Sequence, residues 1–166
     1  MTASRVSTEV LANGHQGNGQ WLQITPGERF RIHISVEETE GAFAMLELVA
    51  DPQNGAPMHV HKNEDEHFVL LEGTLHIANG DKTFDAPAGT AVTLRKGVPH
   101  VWCNLSESPL QMLIVFSRGH IERLFREVAA RENDDIAAIL DKFGCLIVGP
   151  ALLESVYSIS SPRDMT

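Results

Sequence analysis

At 166 residues the chain suits one domain, and 43% hydrophobic residues suffice to bury a core of that size. Its formal net charge of -9, from 22 acidic and 13 basic residues with no Lys/Arg cluster, lacks the basic footprint that phosphate backbones require, so no nucleic-acid partner is expected. Apolar segments such as LQMLIVF are too short to span a bilayer and MTASRVSTEV has no apolar core resembling a secretory signal, so the expectation is a soluble, cytoplasmic protein without a membrane partner.

In chain order, residues 1–20 end in the glycine- and asparagine-rich stretch NGHQGNGQ and read as a flexible arm. From 21 to 118 the pattern is short apolar runs (FRIHISV, AFAMLELVA, PMHVH, EHFVLL, TLHIA, TAVTL, HVWC, PLQMLIVFS) separated by the turn signals NGAP, EGT, NGDK, APAG and RKGVP. Runs rich in Val, Ile, Leu, Phe and Thr at this spacing predict an all-β barrel or sandwich. Beyond Gly119 the period changes: Ile121, Leu124, Phe125, Val128 and Ala129 recur at the spacing of an amphipathic helix. A second short helix follows, with Asn133 or Asp134 as N-cap, Ile136, Ile139, Leu140 and Phe143 on one face, and Gly144 as the stop. Residues 119–166 thus read as a helical extension packing on the barrel or on an oligomer interface. Cys103 and Cys145 form no CxxC pair and read as two reduced apolar side chains.

The stretch HVHKNEDEHFVLLEG, His59 to Gly73, holds three histidines and four acidic residues in fifteen positions. In an extended segment residues i and i+2 share a face, so His59 and His61 project to one side as a pair of metal ligands. A turn through KNED would bring Glu66, at the start of the next strand, against that pair as a third ligand. His67 would then point the opposite way, as a surface or wall residue. His100, opening a strand after a Gly-Val-Pro turn, can return to the same point in a closed barrel and supply a fourth. Imidazole and carboxylate donors suit one divalent transition metal, Fe, Mn, Ni, Co, Cu or Zn, and four protein ligands leave one or two positions open. His15, His33, His76 and His120 read as satisfied polar residues, and Glu64, Asp65 and Glu72 as solvated turn residues. Phe68, Leu70, Trp102, Met112, Ile114 and Phe116 share the inward parity and either line a substrate pocket or simply fill the core.

The run GAPMHVHKNEDEHFVLLEG resembles the first motif of the cupins, G-x5-HxH-x3/4-E-x6-G: HVH, four intervening residues, Glu66, six more and Gly73. The second motif, G-x5-PxG-x2-H-x3-N, is matched by Gly89, Gly97, His100 and Asn104. Two departures are visible, neither at a ligand position. Gly55 stands three residues before the HxH instead of five, and Arg95 replaces a proline. With its tail IERLFREV and FGCLIVGPAL, the chain is similar to single-domain bacterial cupins of the quercetin 2,3-dioxygenase-like type. The resemblance implies a double-stranded β-helix (jelly-roll) barrel, a metal held by His59, His61, Glu66 and His100, and a homodimer. It further implies that Glu66 either takes the substrate proton before dioxygen opens a flavonol ring, or only ligates. Two other classes stay open. One is a metal-dependent isomerase, epimerase or lyase on a polar small molecule, which needs Arg31, Arg95 or Lys96 in the cavity. The other is a non-catalytic metal- and small-molecule-binding module.

Overall fold

The computed structural model describes residues 19–131 and 136–152. In chain order it contains β1 (Leu22–Thr25), β2 (Glu28–Ile34), β3 (Phe43–Ala50), β4 (Gly55–His61), β5 (Asp65–Glu72), β6 (Thr74–Asn79), β7 (Lys82–Pro87), β8 (Ala91–Leu94), β9 (His100–Cys103) and β10 (Leu110–Ser117). Two helices, α1 (Glu122–Ala130) and α2 (Ile136–Lys142), and a last strand, β11 (Cys145–Ile147), follow. Of the arm at residues 1–20, only Gly19 and Gln20 lie within the described residues, and the expected N-cap at Asn133 or Asp134 lies outside them.

The strands form two antiparallel sheets, one of order β1-β2-β3-β10-β5-β8 and the other β11-β4-β9-β6-β7. Side-chain alternation decides what lies between them. On β10, Leu110, Met112, Ile114 and Phe116 are buried while the intervening residues are half-buried. The same period carries Phe30 and Ile32 of β2, Leu46 and Leu48 of β3, and Phe68 and Leu70 of β5 into one core with Leu75, Ile77 and Trp102 of the facing sheet. This is the all-β barrel or sandwich expected from the runs, in the jelly-roll form that the resemblance implies, extended by the two helices.

Gly55, at the start of β4, lies so close to β9 that a Cβ there would collide with the Trp102 carbonyl oxygen and come within 2.7 Å of Cys103 Cα. The missing side chain is what lets β4 and β9 approach at this end.

α1 begins after Ile121 and buries Leu124 and Val128, one stripe of its apolar pattern. α2 is joined to it by Lys142 Nζ on Glu127 Oε1 at 2.7 Å and ends before Gly144, whose φ of 73° continues no helix. The tail then returns to the sheet instead of staying helical. Cys145, Leu146 and Ile147 pair antiparallel with His61, Val60 and His59, so β11 covers what would otherwise be an open edge of β4. No helix among the described residues is long and apolar enough to cross a membrane.

Candidate metal centre

β4 turns His59 and His61 inward, 7% and 5% exposed, and β9 presents His100 opposite His59 in register. A register shift between Ala56 and His59 accompanies this pairing. Glu66, 4% exposed, arrives from β5. The sequence suggested adjacent strands handing over these ligands. Instead, β4 and β9 belong to one sheet and β5 to the other, so the KNED turn crosses between sheets and the carboxylate faces the imidazoles across the interior. All four ligand atoms lie within 4.8 Å of one another, and together they could hold a metal ion.

The surroundings orient the rings. His59 Nδ1–H donates to the Pro57 carbonyl at 2.7 Å and His100 Nδ1–H to that of Val98 at 3.1 Å, which leaves each Nε2 lone pair for the cluster. Glu66 Oε2 stands 3.1 Å from His100 Nε2 and 3.4 Å from His61 Nε2. Neither approach has the alignment of a hydrogen bond: His61 Nδ1 and Nε2, His100 Nε2 and Glu66 Oε2 are all buried without a partner. Buried polar atoms are normally satisfied, so the three orphans that face one another, His61 Nε2, His100 Nε2 and Glu66 Oε2, fit a cation well. The donor set, three imidazoles and a carboxylate, suits a divalent transition metal.

The electrostatics of His59 and Glu66 agree with that fit. Burial, reinforced by the neighbouring His100 and His61, pushes His59 down to about 4, favouring the neutral ligand form. Burial opposes charge on Glu66 as well, but the His100 and His61 rings outweigh it and hold the carboxyl below its ordinary range. His61 moves the other way: burial lowers it, yet the Cys145 thiol and Glu66 beside it raise it to about 10. Glu66 is therefore ionised, with its negative charge facing the three rings.

Above the cluster is a cavity of about 270 Å³ lined chiefly by apolar side chains. It is smaller than most small-molecule sites, which run roughly 300–1,000 Å³. Trp102 and Ile114 of the six residues marked as pocket candidates line it. Phe68, Leu70, Met112 and Phe116 are buried in the adjoining core, Phe116 with its ring 5.6 Å from that of His61. α1 and α2 roof the cavity through Leu124, Phe125, Val128, Ile136 and Leu140.

Arg31, Arg95 and Lys96 do not line this cavity. Arg31 is bonded to Glu47, and Asp65 takes the Arg95 side chain and the Lys96 backbone N–H. His33 and His76 are satisfied by Glu47 and Asp85, at 2.7 and 2.6 Å, and His67 bonds Thr93 on the outer face. Glu64 departs from its reading as a solvated turn residue: it is 2% exposed. Gly119, at φ 115°, packs directly on its carboxylate, and the His120 N–H donates to Oε1 at 3.3 Å. No local pattern announces a contact made across 56 residues. Two further cavity residues, Glu28 and Cys145, were also absent from the sequence-level candidates. The parity of Glu28 with Phe30 and Ile32 is the signal that could have found it.

Residues 46–116 match the family model described as the cupin domain. Among solved structures the chain is similar to KdgF from Halomonas sp., at 15% identity and TM-score 0.56, covering 63% of this chain and 92% of that one. It is also similar to the polyketide cyclase RemF from Streptomyces resistomycificus, at 19% identity and TM-score 0.54, covering 62% and 76%. At such identities the likeness shows the fold alone. Mannose-1-phosphate guanylyltransferase 2 from Escherichia coli is 22% identical over 119 residues, which is 70% of this chain and 22% of that protein. The chain thus spans about a fifth of that relative's length. The chain thus matches the cupin-domain model over residues 46–116 and shares its fold with these solved structures, and the buried three-histidine, one-glutamate cluster lies within that matched stretch.

Proposed function

We propose that the protein is a metal-dependent dioxygenase of the quercetinase-like type, acting on a small aromatic or hydrophobic substrate. One observation carries the reading: a four-ligand cluster with orphaned ligand atoms opens onto a cavity whose walls are almost entirely apolar. A divalent ion held by His59, His61, Glu66 and His100 supplies Lewis acidity and, for a redox-active metal, a route for electrons to dioxygen. Trp102, Ile114, Phe30 and Phe125 exclude water and grip a flat substrate. In this reading Glu66, buried with Oε2 unpartnered, accepts an acidic substrate proton there.

The absence of Arg31, Arg95 and Lys96 from the cavity wall weighs against an isomerase or lyase on a sugar-phosphate-like substrate, which wants inward cations. Oxygen uptake with a panel of flavonols tests the assignment. Uptake should occur with the metal-containing protein and fall by about 100-fold or more in Glu66→Gln at equal metal content. Turnover that proceeds without oxygen would transfer the protein to the isomerase or lyase class, and tight binding without product to the non-catalytic one.

We also propose a homodimer formed through the outer face of the six-stranded sheet, where Val69 and Leu71 are 38% and 43% exposed. Light scattering that returns the mass of a single 18.2 kDa chain would remove that proposal.

A further inference from the structure

Among the described residues, one acidic side chain that the metal cluster does not use lines the cavity. Glu28 opens β2 on the same parity as Phe30 and Ile32, is 6% exposed, and lines the cavity. Its carboxyl accepts a hydrogen bond from Thr25 Oγ1 at 3.0 Å and, among the described residues, pairs with no cation. A buried carboxyl with spare acceptor capacity is expensive unless something donates to it. Its place in the sheet matters as much as its burial. β2 is separated from β5, which carries Glu66, by β3 and β10, a span of roughly 14 Å along the curve of the sheet at ordinary strand spacing. Between them runs a line of rings: Phe30 to Phe125 at 4.3 Å, Phe125 to Phe116 at 6.0 Å, and Phe116 to His61 at 5.6 Å. The cavity therefore has two polar points, joined by a wall of Phe30, Phe125, Leu124 and Ile114, with Phe116 behind it in the core.

We infer that Glu28, set by Thr25, is a second polar anchor of the cavity, receiving a hydrogen bond from a hydroxyl or amine borne on the part of an aromatic substrate remote from the His/Glu cluster. This deepens the proposed function and rests on it for the identity of the other anchor. It narrows the substrate class to an elongated, mostly apolar molecule with oxygen donors at one end and a hydrogen-bond donor at the other. A molecule with a carboxylate or phosphate at that second end is rejected, because two negative groups would then meet in an apolar space. Glu28 touches substrate under this reading but performs no bond-making, so it governs specificity.

The test compares three probes: 3-hydroxyflavone, whose polar edge is confined to its hydroxyketone, and its 4′-hydroxy and 4′-amino derivatives, which add a donor on the remote ring. Each is titrated into the protein as purified, with its metal content measured, by quenching of tryptophan fluorescence. The parent should bind at least one derivative about 10-fold more tightly than 3-hydroxyflavone, the derivative preferred telling hydroxyl from amine. In Glu28→Leu that preference should shrink to about twofold or less. Glu28→Gln keeps the shape and one acceptor oxygen; it should retain a reduced preference and serves in place of the leucine variant if the latter does not fold. An identical preference in parent and variants, or none in the parent, overturns the inference and leaves Glu28 as a brace for the β1–β2 turn. Oxygen uptake recorded on the same samples separates the two readings. A preference that depends on Glu28 without oxygen consumption keeps the anchor and removes the dioxygenase. Consumption without such a preference does the reverse, and failure of all three probes to bind overturns both.

Discussion

Two of the buried glutamates that meet histidine side chains, Glu47 and Glu66, end in opposite conditions. Glu47, 5% exposed on the outward parity of β3, is saturated: Arg31 donates through Nε and Nη2, His33 Nε2 lies 2.7 Å away, and Gln111 Nε2 donates at 2.5 Å. Glu66, 4% exposed on the inner face, has an oxygen without an aligned donor and two histidine nitrogens facing it in the same state. Composition alone does not distinguish these clusters, since each combines carboxylate and imidazole. Satisfaction does: a finished network stabilises a fold, and a convergent, unfinished one is a receptor for an ion.

The strongest way to break that distinction is to truncate one member of each cluster. His61→Ala should strip the metal, lowering affinity by more than the roughly 10–100-fold that loss of an outer-sphere partner costs. Elemental analysis of protein purified without added metal reads this directly. Glu47→Ala should leave metal content unchanged and instead cost about 1–3 kcal/mol of stability in denaturant melts, because Arg31, His33 and Gln111 lose their common acceptor. Undiminished metal in the histidine variant, or metal loss in the glutamate one, would erase the contrast.

A smaller effect sharpens the comparison by adding Glu28 as a third case, nearly unpartnered and remote from the cluster. Burial raises its carboxyl above the ordinary 4.5, against a weaker opposing contribution from Thr25. The folded protein thus holds this proton more tightly than the unfolded chain. Its contribution to stability is present below the unfolded value and is lost as pH rises through the folded one. Glu28→Gln removes that dependence, so its Tm relative to the parent should be higher at pH 7 than at pH 4. An equal offset at both pH values would show that the carboxyl is already satisfied.

Much of this architecture is readable from the residues. Period-two alternation locates the strands and their inner faces, as on β10, and the spacing from HVH to Glu66 and on to His100 selects four side chains that do converge. The helical spacing after Gly119 likewise locates α1 and α2. What escapes is set by contacts between distant segments. Glu64 reads as a turn residue because its neighbours are polar, and its burial is decided by Gly119 and His120. Cys145–Ile147 is too short for a period to declare itself, and only the open edge of β4 makes it a strand. Glu28 shows its parity but not its setting, since the roof over it comes from helices about a hundred residues further along the chain.

The pairing of β11 has a mechanical consequence. Ile147 and Cys145 are zipped to His59 and His61, the two histidines of one strand. Peeling this strand away to admit a guest would loosen the backbone under both imidazoles at the moment they must hold still. A doorway there would dismantle the room it opens onto, and the Lys62 N–H bond to the Gly144 carbonyl at 2.9 Å extends the same seam past His61.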